Sequence, residues 1–150
     1  MKGRACVLTL AVLALGCGTP DLVVLGRGAG ADAAVAGGRV LGFVLVDVAS
    51  GVDLRTLADG DTIDTRPMPV TIRAIVEPLD PGSVVFELDG HAVRTEENPP
   101  WAIAGNDPVT GKFFVWTVAA GPHRVKAIPH GAPGGQGVAG ISLEETFTIL

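Results

Sequence analysis

Pro81-Gly82-Ser83-Val84-Val85-Phe86-Glu87-Leu88-Asp89-Gly90 is the stretch that decides the fold. Val84, Phe86 and Leu88 alternate with Val85, Glu87 and Asp89, the two-residue period of a strand with one face buried. Pro81-Gly82 opens the run. Asp89-Gly90 closes it with a tight-hairpin signal, because both central residues of a type I′ turn need positive φ. His91 to Arg94 is therefore expected to return antiparallel. Upstream, Val70, Ile72, Ala74 and Val76 repeat the period, with Thr71 and Arg73 pointing the other way as in a half-buried strand. Val40 to Val48 reads as a first strand, and Asp59-Gly60-Asp61 as a turn after Leu54 to Leu57. Downstream, Pro99-Pro100 blocks sheet pairing, Trp101 to Ala104 is a short strand at most, and Asn106-Asp107-Pro108 opens another turn. Phe113 to Val118, Arg124 to Ile128 and Leu143 to Ile149 complete the set. No segment from Val40 onward carries a helical apolar period, so the expectation is an all-β, two-layer antiparallel sandwich over residues 40–150.

The 150 residues, 47% of them hydrophobic, suit one domain at most and are too apolar and too weakly charged for a disordered chain. A net charge of -5 would repel a phosphate backbone, so no nucleic-acid partner is expected.

The N-terminus reads as a targeting signal. Lys2 and Arg4 precede the apolar run Ala5 to Leu15, which is too short to cross a hydrocarbon core of about 30 Å as a helix. The run ends in Leu13-Ala14-Leu15-Gly16-Cys17, which resembles the bacterial lipobox, with Ala14 and Leu15 standing where Leu and a small residue are usual. That resemblance implies cleavage of residues 1–16, acylation of Cys17 by diacylglyceryl and palmitate-type chains, and anchoring of the protein to a membrane. An ordinary secretory signal cut elsewhere is the alternative. Gly18 rather than Asp after the cysteine resembles the sorting pattern for the outer membrane, where the protein would face the periplasm or the cell surface. Cys6 would be discarded with the signal, leaving no internal disulfide. Losing Lys2 and Arg4 would leave nine basic against sixteen acidic residues, a charge of -7.

Residues 17–39 read as a lipid-anchored linker, since Gly and Ala make up eleven of the 22 residues from Gly18 to Arg39. Leu22 to Leu25 followed by Gly26-Arg27-Gly28-Ala29-Gly30-Ala31 imitates a dinucleotide-binding turn, with Asp47 near the ribose-binding position. Too few residues follow for a crossover helix, Gly37-Gly38 would break it, and no strand-helix alternation comes after. No cofactor is expected.

Catalytic carriers are sparse. His91, His123 and His130 are scattered, and the odd separation of the last two puts them on opposite faces of one strand, so zinc is not expected. Asp59, Asp61 and Asp64 could offer oxygens to calcium or serve the Gly60 turn, and the sequence leaves that open. Ser50, Ser83 and Ser142 lie in no nucleophile elbow, and Glu96-Glu97 and Glu144-Glu145 are adjacent pairs that form no ready acid/base couple. No catalytic residue is assigned. An enzyme would need a histidine converging with carboxylates in a cleft. Phe43, Phe86, Phe114, Trp116 and Phe147 are expected on strands, filling the core. Trp101 either caps one end of that core or forms an exposed stacking platform for a sugar ring, with Asn106 and Asp107 as hydrogen-bonding neighbours.

The ordered blocks Pro81 to Gly90, Arg94-Thr95-Glu96-Glu97-Asn98-Pro99-Pro100-Trp101, Trp116, Gly121-Pro122-His123, Ala127, Pro129 and the Gly-rich loop to Ala139-Gly140 resemble a bacterial immunoglobulin-like module. The likeness spans about 110 residues. Trp101 and His130 stand where such modules commonly carry Tyr, and the loop Asn106 to Gly111 is rearranged. The resemblance implies an immunoglobulin-like sandwich, preceded by the signal and linker, that binds rather than catalyses. Its expected partners are the membrane through the N-terminal lipid and an envelope glycan or surface protein. A structural or assembly subunit of an envelope complex, pairing through a free sheet edge, is the alternative.

Overall fold

The computed structural model describes residues 37–78 and 80–150. The signal, Cys17, the glycine motif and most of the linker lie outside them.

Two sheets face each other. The first has the order β2 (Asp53–Leu57), β1 (Arg39–Asp47), β4 (Val70–Glu77), all antiparallel. The second runs β3 (Asp61–Ile63), β9 (Leu143–Ile149), β7 (Gly121–Ala132), β5 (Ser83–Leu88), β6 (His91–Glu96), with β8 (Gln136–Ala139) added on β7. The chain crosses from β4 into the β5–β6 hairpin of the opposite sheet. It then returns to lay Ala102 against Arg73 of β4, and crosses again into β7 and β9. This alternation of sheets around a central hairpin is the strand order of an immunoglobulin-like sandwich. One pair departs from the antiparallel expectation: β3 runs parallel to β9, Asp61 opposite Phe147 and Ile63 opposite Ile149.

The core follows the alternation. Phe43 and Leu45 of β1, Ile72 and Ala74 of β4, Val84 and Phe86 of β5, Val125 and Ala127 of β7, and Phe147 and Ile149 of β9 all belong to one buried cluster. The β5–β6 hairpin turns at Asp89 and Gly90 with φ of 53° and 84°, as the Asp-Gly pair requires.

Three expectations are corrected. Phe113 to Val118 forms no strand; Phe113 makes only an isolated bridge to Asn106, and Phe114 is 47% exposed rather than buried in the core. Pro108 and Gly111 force a turn here, and the pairing that results is local. Trp116 packs at the border of the core, its ring 5.8 Å from that of Phe147. Strand β1 begins at Arg39, and Gly37-Gly38, assigned to the linker, belong to the folded body. A Cβ on Gly37 or on Gly140 would overlap backbone of the other segment, so both must be glycine for the segments to meet. The hydrogen bonds from Val40 N to Ile141 O at 2.9 Å and from Ile141 N to Gly38 O at 2.8 Å join them.

Thr71 supplies the third. Its alternation points it away from the core cluster, yet it is fully buried opposite Val46, which is buried too. Its hydroxyl has no hydrogen-bond partner among the described residues. A buried hydroxyl without a partner costs about 1–3 kcal/mol. Thr71→Val, which keeps the shape and removes the polar atom, is therefore expected to raise the unfolding free energy by about 1 kcal/mol in urea titrations. A loss of stability would show that the hydroxyl is satisfied.

Candidate functional site

Strand β6 turns two charged side chains inward at the open side of the sandwich. Arg94 lies across from Phe86 and Glu96 from Val84, both on the core-facing register, and the two charges neutralise each other in an ion pair. Burial pushes the Glu96 carboxyl above its ordinary value, and Arg94 opposes that rise. The guanidinium is covered by the backbone of Gly105, which has φ of 77°; a Cβ there would overlap the Arg94 side chain. Past Glu96 the chain continues through Glu97, Asn98 and the Pro99-Pro100 pair, and the loop from Gly105 to Phe114 forms the facing wall.

That loop is a small hairpin of its own. Phe114 N donates to Gly105 O at 3.0 Å and Asp107 N to Lys112 O at 2.9 Å, and Asn106 bridges Phe113. Asp107 closes the turn by accepting from Val109 N at 2.8 Å and Thr110 N at 2.9 Å. The bonds from Thr110 and Val109 hold its carboxyl below the usual carboxylate range. Between β6 and this hairpin lies a groove of about 750 Å³ lined by Arg94, Glu96, Glu97, Asn98, Asn106 and Phe114 among others. Its volume falls within the roughly 300–1,000 Å³ of small-molecule clefts.

The candidates separate here. Asn106 lines the groove, Asp107 is engaged by its turn, and Trp101 is only 4% exposed and packed in the core cluster. Of the two readings of Trp101, the burial against the core holds and the exposed sugar platform is corrected: the segment pairs with β4, Ala74 N donating to Trp101 O at 2.8 Å and Ile103 N to Ile72 O at 2.9 Å. The exposed aromatic of this region is Phe114. The sequence assigned it to a strand and the core, and only the failure of residues 113–118 to join a sheet exposes its ring.

The three turn aspartates point to separate partners. Asp59 accepts from Thr146 N and Thr146 Oγ1 at 2.9 and 2.7 Å, Asp61 pairs with Arg55, and Asp64 pairs with Arg66. The Arg66 hydrogen bond draws the Asp64 carboxyl down to about 2. Glu145 is pushed up, first by burial and then by the charges of Asp59 and Asp61.

A second constellation went unread in the sequence. His123 Nδ1 lies 2.8 Å from Asp89 Oδ2 and its Nε2 lies 2.9 Å from Ala119 O, at a surface depression of about 430 Å³. This is the convergence of histidine and carboxylate that an enzyme would need. Yet both ring nitrogens are engaged by acceptors, which leaves neither to take a proton from a substrate. Asp89 Oδ1 also accepts from Arg124 N at 2.9 Å, so the pair ties the β5–β6 turn to β7.

Burial works against a charge on His123, but the Asp89 hydrogen bond and the Ala119 carbonyl outweigh it and raise the imidazole above its ordinary value. The His123 bond lowers Asp89. The raised histidine stabilises the fold fully below its unfolded value, about 6.5, and loses that contribution as pH rises through the folded one. The lowered aspartate contributes above about 3.9 and loses it as pH falls. The clamp is therefore strongest from about pH 4 to pH 6.5. In melts run across pH, the wild-type advantage in Tm over His123→Gln is expected to shrink between pH 6 and pH 9; a constant difference would count against the charged clamp.

No family model matches the sequence, and no curated protein does. Among solved structures, the fibronectin(III)-like modules of Clostridium thermocellum CbhA are similar over 72% of this chain, with a TM-score of 0.39 and 12% identity. The chain spans about half, 46%, of that structure's length.

Proposed function

We propose that the protein is a non-catalytic, lipid-anchored envelope protein whose immunoglobulin-like sandwich displays a binding groove, and that the groove takes a glycan. One observation carries the glycan reading: the half-exposed ring of Phe114 lines the same groove as the amides of Asn98 and Asn106 and the carboxylate of Glu97. Sugar recognition needs an apolar surface for the C–H face of the ring and planar polar groups for its hydroxyls. The anchor rests on Leu13-Ala14-Leu15-Gly16-Cys17 and on the apolar run before it. Acyl chains on Cys17 would hold the domain at the outer membrane, with the Gly/Ala-rich residues from Gly18 to Ala36 as its tether.

The test is a pull-down from envelope extract with the acylated protein, scored for glycan and protein partners, beside its Phe114→Ala variant. Glycan recovery that falls at least tenfold with Phe114→Ala is the expected result. Recovery of neither class of partner at high bait loading would overturn the binding reading. Intact mass of the membrane fraction tests the anchor, which an unmodified N-terminus or cleavage away from Cys17 would remove.

A second reading, an assembly subunit, is favoured by β6, which ends the strand order of its sheet and leaves Val93 half exposed. A free edge invites a partner strand. A stable protein complex insensitive to Phe114→Ala and broken by Val93→Pro would favour it.

A further inference from the structure

The charges around the groove divide into one that is spent and one that is free. Arg94 is bound to Glu96 and roofed by Gly105, so it offers little to an anionic ligand. Glu97, the next residue along the same wall, is exposed and makes no ion pair among the described residues. The lining charges Arg94, Glu96 and Glu97 therefore sum to one negative, on a chain of net charge -5. A carboxylic or phosphorylated sugar would meet repulsion here, whereas a protonated amine would find an unneutralised carboxylate. Charge-assisted hydrogen bonds to such a carboxylate are about twice as strong as neutral ones.

Resting on the glycan reading above, we propose that the groove selects sugar units with a free amino group. Glu97 receives the ammonium, Phe114 receives the C–H face of the ring, and Asn98 and Asn106 bond the neighbouring hydroxyls.

Isothermal titration of the full chain in detergent, at pH 6 and low salt, tests this with three probes: the fully deacetylated glucosamine tetramer, its N-acetylated counterpart and a galacturonate tetramer. The deacetylated tetramer is expected to bind at least fivefold tighter than the acetylated one, with the galacturonate weakest. Glu97→Gln should weaken the deacetylated tetramer more than the acetylated one and so remove that preference, whereas Glu144→Gln, an exposed glutamate of β9 outside the groove lining, should change neither. Equal losses in the two glutamine variants would mean general attraction to an acidic surface and overturn the proposal. Phe114-dependent binding of the acetylated tetramer without an amine preference would overturn the selectivity and leave the glycan groove standing. Preference for galacturonate would overturn the selectivity as well, and no binding by any probe would overturn both readings.

Discussion

Phe86→Ala is expected to remove about 3–5 kcal/mol from the unfolding free energy. The ring is fully buried on β5, a strand flanked by β7 and β6, with Ala127 and Arg94 as its cross-strand partners. Small Ala127 leaves the space that Phe86 fills, so truncation leaves a cavity and forfeits both the transfer energy and the packing of its lining. Against the roughly 5–15 kcal/mol that stabilises a typical domain, the loss takes about a fifth of the total or more. Urea unfolding should show the midpoint falling with little change in slope. Phe114→Ala supplies the contrast, because a half-exposed ring in a loop hairpin is worth about 1 kcal/mol or less. Equal losses in the two variants would place Phe114 in the core and remove the groove's aromatic wall.

Gly82→Val should be as damaging by the opposite route. A Cβ at Gly82 would overlap the backbone N, Cα and C of Ala132, where the start of β5 meets the end of β7. Backbone has no rotamer to retreat into, so the strands must part. Overpacking of this kind costs about 1–3 kcal/mol where side chains can adjust, and more where they cannot. Separation would also break the bonds of buried Ser83, whose hydroxyl donates to Ala132 O at 2.6 Å and accepts from Gly135 N at 3.0 Å. A loss of at least about 3 kcal/mol is expected, with amide exchange accelerating first over Pro129 to Gln136. Ser83→Ala isolates the hydrogen-bond share at about 1–3 kcal/mol. Gly82→Val as stable as wild type would mean that the two strand ends have room the geometry denies.

The groove and the clamp show how far the sequence could be read. Arg94, Glu96 and Asn106 stand in blocks whose strand and turn character is legible locally, so the elements that build the groove were visible. That Phe114 would be exposed was not, because its apolar context suits either outcome, while the burial of Trp101 was one of the two outcomes its proline-rich context allowed. Trp101 is drawn in because its segment pairs with β4: Ile103 N donates to Ile72 O at 2.9 Å, and Ala74 N to Trp101 O. Phe114 is held out because its amide is committed to Gly105 inside a local hairpin.

By itself, then, the sequence determined what neighbours in the chain determine: the two-residue alternation of β4 and β5, the Asp89-Gly90 hairpin, and an all-β sandwich. Those features arise from backbone sterics and from hydrophobic patterning within a few residues. Only the tertiary structure decided which side chains meet across the fold. Asp89 and His123 are 34 residues apart, and Ser83 and Ala132 are 49 apart. No local propensity encodes such meetings; they exist because stacking the two sheets buries one apolar face of each, and whatever lies at the rims is brought together by that burial.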